Sequence, residues 1–165
     1  SSGAKGKEFI SFSPMSRVEK LYVGDLSESE TLSYLTEVGR TEKEARQVFS
    51  LVGGRWEHLV KVRISPFDFN VFSKACFNDI EGKVLKVSAV GWDKNDTLNF
   101  LLLFLEGSGQ VESDVFVKKT DGTLEAVERM LDANLIQYRL DTSKYELHSE
   151  LVKSYLLEKR KQSSL

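Results

Sequence analysis

The residues best placed to do chemistry are Gly53-Gly54-Arg55, inside "LVGGRWEHLV" (51–60), and His148, inside "YELHSE" (145–150). Arginine carries a permanently charged planar fork that meets phosphate or carboxylate oxygens two at a time. Glycines ahead of it let the backbone approach a ligand more closely than any side chain would allow. The histidine stands just before a helical pattern, where free backbone N–H groups favour an anion and an imidazole can donate to it. An arginine or a histidine in such a setting can each meet an anion such as a phosphate. Each residue also has a plainer reading. Gly53 is the left-handed residue that closes the preceding helix, and Arg55 is a solvated helix-start residue with its stem packed on Trp56. His148 is then a surface or satisfied core histidine, and His58, inside a helical pattern, reads as packing or surface.

Other chemistries find no footing. "GAKGKE" (3–8) has glycines and lysines but does not match G-x-x-x-x-G-K-[ST], and reads as a loop. There is no Cys/His set for zinc, no G-x-S-x-G and no Cys/His pair for nucleophilic catalysis. The single cysteine, Cys76, lies mid-helix between Phe72 and Phe77 and reads as a buried small hydrophobe. It has no partner for an internal disulfide, which fits a reducing compartment. A formal net charge of -2 gives no electrostatic case for nucleic acid. The longest apolar run, "FLLLFL" (100–105), is far too short to span a bilayer, and the first residues lack a signal-peptide pattern. The expected setting is intracellular, cytoplasm or nucleus, without a membrane.

The elements that must position these residues read as follows. "RVEKLYVGDL" (17–26) is a short strand by its β-branched and aromatic content. Ser27 with Glu30, and Thr41 with Glu44, are capping-box signatures that open two helices. Leu32, Leu35 and Val38 follow in the first, before Gly39; Ala45, Val48, Phe49 and Val52 form one face of the second, before Gly53. "RWEHLVKVRI" resumes helically, "SPFDFN" breaks the pattern, and "VFSKACFNDIEGKVLKVSAV" (71–90) is a longer helix. A junction is expected near Gly91, with Trp92 buried beside it. Then come an apolar helix in "KNDTLNFLLLFLEGSG", an ill-defined piece, and the helix "TLEAVERMLDAN" with Leu124, Val127, Met130 and Leu131 on one side. A hairpin, "LIQYRL-DTSK-YELH", and a closing helix, "SELVKSYLLEKRK", complete the layout of a winged helix, a helix-turn-helix relative. The fold class expected is mostly α (α+β): a small helical lid bundle, then a winged-helix domain with a two-stranded wing. Glu125, Glu128 and Asp132 against Arg129 argue against DNA reading through residues 123–134.

These motifs resemble a family. "VGDLSESETLSYLTEVGRTEKEARQVFSLVGGRWEHL" (23–59) resembles the segment after the core sheet in P-loop ATPases of the AAA+ and STAND group, notably the archaeal-type ATPases and their eukaryotic relatives. There a last core strand ends in a "gDLs" turn. A helical lid then closes on a Gly-Gly-Arg or Gly-x-Pro element near the nucleotide, and a winged helix follows. "MLDANLIQYRLDTSKYELHSELVKSYL" (130–156) looks like that family's wing and final helix, with Leu147-His148-Ser149 where STAND proteins carry Met-His-Asp. The likeness covers roughly residues 17–157. Walker A and Walker B strands are absent, Trp56 stands where many relatives have proline, and Ser149 replaces the aspartate.

The resemblance implies a loop and last strand of an ATPase core over 1–26, with "SSG" either the loop after a core strand or a tag remnant. It implies a lid over 27–90 and a winged helix over 91–165. Gly53, Gly54, Arg55 and His148 become nucleotide contacts, Arg55 sensing phosphate and His148 meeting the diphosphate of ADP. The function implied is a regulatory C-terminal portion coupling ATP/ADP state to a protein partner, not catalytic alone. ATP or ADP with Mg would bind only together with a P-loop core, on the same polypeptide or a second chain. The alternative is a stand-alone winged-helix module binding protein or nucleic acid.

Overall fold

Ser27 and Thr41 each open a helix by reciprocal bonding. Ser27 Oγ accepts from the Glu30 N–H at 3.2 Å while the Glu30 carboxylate accepts from the Ser27 N–H at 2.9 Å. Thr41 and Glu44 repeat the exchange at 3.1 and 2.9 Å. The resulting helices are α1, Glu28–Glu37, and α2, Glu42–Val52. These contacts belong to a computed structural model that describes residues 24–63, 66–87, 91–106, 109–112 and 123–163. The strand expected over 17–26 lies outside that set apart from Gly24–Leu26, which have irregular backbone, and so does "GAKGKE".

Helix α3, Trp56–Leu59, runs into a 3₁₀ turn at Val60–Arg63. Helix α4 spans Phe69–Lys86, so it begins two residues before the expected start and ends four before the expected end. Asp68 explains the first shift: its carboxylate accepts from the Val71 N–H at 3.2 Å and caps a helix that includes Phe69. The helix stops at Val87, which is extended, where the valine-rich "VLKVSAV" offers poor helix formers. Helix α5, Lys94–Leu102, starts on a third capping box, Asp93 with Asp96, and continues as a 3₁₀ turn, Leu103–Leu105. Gly91 between α4 and α5 has φ +73°. Trp92 is half-buried rather than buried. Its Nε1 donates to Thr97 Oγ1 at 2.8 Å and its ring meets Phe100 edge-on, 5.9 Å between centroids.

The C-terminal half adds β1 (Gln110–Glu112), α6 (Thr123–Asp132), β2 (Ile136–Arg139), β3 (Lys144–Leu147) and α7 (Glu150–Ser163). The architecture is mostly helical with one small antiparallel sheet, the α+β class expected. The expected two-stranded wing is a three-stranded sheet in the order β1-β3-β2. Ile136 pairs with Leu147 and Tyr138 with Tyr145, while Gln110 pairs with Glu146 on the other side of β3. The added strand, "QVE", is too short and too close to "GSG" to register as a periodic pattern. Asn134 ends α6 at φ 60°, with the Leu135 N–H reaching back to the Met130 carbonyl at 3.0 Å. The face of α6 turned inward is Ala126, Val127 and Met130; Leu124, expected with them, is 69% exposed.

One core serves both halves. Leu35, Val48, Val52, Leu59 and Ile80 belong to the same buried cluster as Phe104, Met130, Ile136, Leu151 and Leu156. Helix α7 makes this possible, because it packs on α2, α4 and α5 at once. Ser154 Oγ on α7 also donates to the Leu51 carbonyl near the end of α2, at 2.8 Å. No helix among the described residues is long and apolar enough to cross a membrane.

Candidate functional site

The turn at residues 24–27 and the Gly-Gly-Arg element are pinned to each other. The Leu26 N–H donates to the Gly54 carbonyl at 2.9 Å. A Cβ on Gly54 would lie 1.8 Å from the Leu26 carbonyl oxygen, so the close backbone approach that Gly54 permits is to Leu26. Gly53 ends α2 with its N–H bonded to the Phe49 carbonyl at 2.8 Å. Its φ of 67° is positive, as a closing glycine requires. Its ψ of -152°, however, puts it in the mirror-extended region rather than the left-handed helical one expected. That region is essentially glycine-only, and it turns the chain sharply enough for Arg55 to follow Gly54 back towards Asp25.

Arg55 is half-buried and turned to Asp25. Its Nε lies 3.3 Å from Asp25 Oδ1, and its side chain is only 23% exposed. The contact is an ion pair without a well-aligned hydrogen bond, for Arg55 Nε makes none. Trp56 meets Tyr34 with ring centroids 4.8 Å apart and planes tilted by 55°.

His148 arrives from the other half of the chain. Strand β3 delivers it, and its backbone N–H donates to the Leu135 carbonyl at 3.0 Å. The next residue, Ser149, caps α7. Its Oγ accepts from the Val152 N–H at 3.4 Å and its carbonyl from the Lys153 N–H at 3.3 Å. Serine in that place therefore does an N-cap's work. Burial, and then the Arg55 charge, push the His148 imidazole down to about 4, so the ring is neutral at neutral pH. A neutral imidazole can still donate one N–H to an oxygen.

Arg55 and His148 line one cleft of about 340 Å³, with Asp25, Gln137, Glu146, Glu150 and Lys153 around it and Phe104 and Leu105 beneath. Gly53 lies at its edge, where an added Cβ would come within 3.1 Å of Glu150 Cβ. Three carboxylates face two cations here. Glu146 is drawn off by Arg139 at 3.3 Å, and Asp25 by Arg55. Lys153 has no ion-pair partner among the described residues, which makes it the free cation of the cleft. Reading the sequence did not single out Lys153 within the closing helix "SELVKSYLLEKRK". The signal was its place in the first turn of α7, four residues after the cap Ser149.

The remaining sequence candidates resolve plainly. Cys76 is 8% exposed, and burial pushes its thiol up to about 11, so it packs and stays protonated. His58 is 7% exposed, and burial lowers its imidazole. Arg129 is paired with Glu125 at 2.7 Å, so the exposed face of α6 carries no free cation from it. Comparison with protein-family models, with curated proteins and with solved structures found no match.

Proposed function

We propose that this chain is the lid and winged-helix portion of a P-loop ATPase, coupling ATP/ADP state to a protein partner and not catalytic alone. What supports this is the convergence of Arg55 and His148, one from each half of the chain, on a single polar cleft. Packing alone does not require that convergence. The fit to a nucleotide phosphate is partial and instructive. The approach at Gly54 is filled by Leu26, so Gly53 and Gly54 act by aiming Arg55 rather than by touching a ligand. His148 and Lys153 are the groups free to meet phosphate oxygens, and Arg55 can join them by leaving Asp25. With its carboxylates outnumbering its cations, this wall adds selectivity rather than charge. The charge needed to hold a phosphate with Mg belongs to a P-loop core.

The test uses the full-length gene product. His148→Ala should loosen ADP and raise basal turnover, and Arg55→Ala should lower turnover. ADP affinity and turnover unchanged in both variants would refute the nucleotide reading, as would ATPase activity that persists in the purified 165-residue chain. The alternative, a stand-alone protein-binding module, draws support from exposed Leu124 and Leu140, 69% and 87% accessible. A Walker A motif in the same polypeptide, or its absence from both that polypeptide and any tight partner, separates the two.

A further inference from the structure

A second cleft, of about 670 Å³, opens between α3, the turn at 66–68, α4 and the first turn of α7. Its walls are mainly apolar. Phe67 and Phe72 lean together with ring centroids 5.8 Å apart and planes tilted by 51°. Cys76 and Leu151, 8% and 1% exposed, close the bottom. The Arg40 guanidinium covers the Phe67 ring at 5.0 Å from the centroid and so fixes one wall. An apolar cavity of this size with a few convergent polar groups is the usual form of a small-molecule site.

Four polar residues break the apolar lining: His58 and Lys61, and the carboxylates Asp68 and Asp79. His58 is more than nine-tenths buried, and its Nδ1 is sealed from solvent with no hydrogen-bond partner among the described residues. A buried polar atom left unsatisfied is costly, and a ligand oxygen there would recover the bond. Lys61 stands at the rim, exposed, with no ion-pair partner among the described residues. Asp68 and Asp79 line the same cleft, and each already has a partner, as does Glu57 nearby. Asp68 accepts from the Val71 N–H at 3.2 Å, Asp79 pairs with Lys83 at 3.6 Å, and Glu57 lies beside His58 Nε2 at 3.6 Å. With Asp79 paired to Lys83 and Asp68 spent on its helix cap, the free cation Lys61 and the unpaired imidazole nitrogen of His58 complement an aromatic anion in this largely apolar slot. Its Cys76 thiol, held protonated, is wall and not nucleophile.

We propose that this cleft binds a small aromatic carboxylate, its ring between Phe67, Phe72 and Leu151 and its carboxylate between Lys61 and His58. This stands apart from the nucleotide reading, since it uses no residue of the Arg55–His148 cleft. The probe is 2-naphthoate, titrated into the isotopically labelled chain by NMR, with 2-naphthylmethylammonium as the ring-matched cation. Shifts should gather at residues 58–61, 67–76 and 151, and naphthoate should bind at least about tenfold more tightly than the ammonium, as a desolvated charge contact allows. Lys61→Gln should erase that preference while leaving the fold untouched, because Lys61 is exposed. Ala75→Trp, from an exposed position on α4 that lines the cleft, should fill it and abolish binding. Overturning results are no shifts at millimolar naphthoate, equal affinity for both probes, a preference that survives Lys61→Gln, or shifts centred on His148 and Lys153.

Discussion

Replacing Glu81 with glutamine should loosen the seam where the two halves of the chain meet. Glu81, on α4, accepts the Tyr155 hydroxyl at 2.7 Å and pairs with the Lys159 ammonium at 3.1 Å, both from α7. It also pairs with Lys94 at the start of α5. Burial alone would raise the Glu81 carboxyl, but hydrogen bonds from Lys94, Tyr155 and Lys159 outweigh it and bring it from 4.5 down to about 2. At about 1.4 kcal/mol per pH unit the gap favours the ionised form by about 3.5 kcal/mol at most. The side chain is 25% exposed, so solvent screening cuts the contribution to about 1–2 kcal/mol. Because the folded carboxyl titrates lower than the unfolded one, this stability is whole above about 4.5 and is lost as pH falls towards 2. Glutamine can still accept from Tyr155, so the substitution removes the charge and little of the packing. Urea denaturation at pH 7 should find Glu81→Gln less stable by about 1–2 kcal/mol with an unchanged m-value, and the gap should close near pH 2. A variant as stable as wild type at pH 7, or a deficit that persists undiminished in acid, would refute the role given to Glu81.

Gly54→Ala should destabilise by more than about 2 kcal/mol, because its Cβ falls 1.8 Å from the Leu26 carbonyl and backbone must move. Gly82→Ala, inside α4 with nothing within 4 Å of its Cβ, should instead stabilise by roughly 0.5–1 kcal/mol; thermal melts of both variants check the pair. Burial, with Arg55 second, holds the folded His148 ring at about 4 against an ordinary 6.5, so folding stability should fall as pH drops from 6.5 to 4. His148→Gln should flatten that limb in a pH series of urea denaturations, and an unchanged slope would show that His148 titrates normally. Duplex DNA should not bind through α6, whose exposed face sets Glu125, Glu128 and Asp132 against an already paired Arg129; a low-salt mobility shift abolished by Arg129→Ala would show otherwise.

What the sequence made legible was mostly local. The Ser27/Glu30 and Thr41/Glu44 boxes place two helix starts correctly because both partners of each exchange lie within one turn. The same reasoning had a third instance in Asp93 and Asp96, and a cap at Asp68, in a stretch whose new helix start was placed near Pro66 rather than on the aspartate. Long-range facts were not available in that way. Leu124 shares the helical phase of Val127 yet is exposed, since which stripe of α6 turns inward depends on its packing against the hairpin strand β2. Strand β1 exists only because β3 has a free edge to receive it. The family resemblance singled out Arg55 and His148 as nucleotide contacts, but nothing in periodicity puts them in one cleft. That follows from α7 packing on α2 with Glu150 against Gly53.

The paired glycines divide their work. Gly53 takes a φ, ψ combination closed to other residues, and Gly54 takes a position with no room for a side chain. Together they bring Arg55 to Asp25 while the Leu26–Gly54 hydrogen bond holds the two segments in register. The Arg55–Asp25 contact at 3.3 Å is longer than a charge-assisted hydrogen bond of about 2.8 Å, and Arg55 Nε remains without a donor geometry. Asp25 is 43% exposed, so solvent can take over that carboxylate when the arginine leaves. An arginine positioned by its backbone, whose Nε makes an ion pair but no hydrogen bond, can exchange that partner at small cost. In the proposed setting its second partner is a phosphate oxygen, reached from the same cleft that His148 and Lys153 already face.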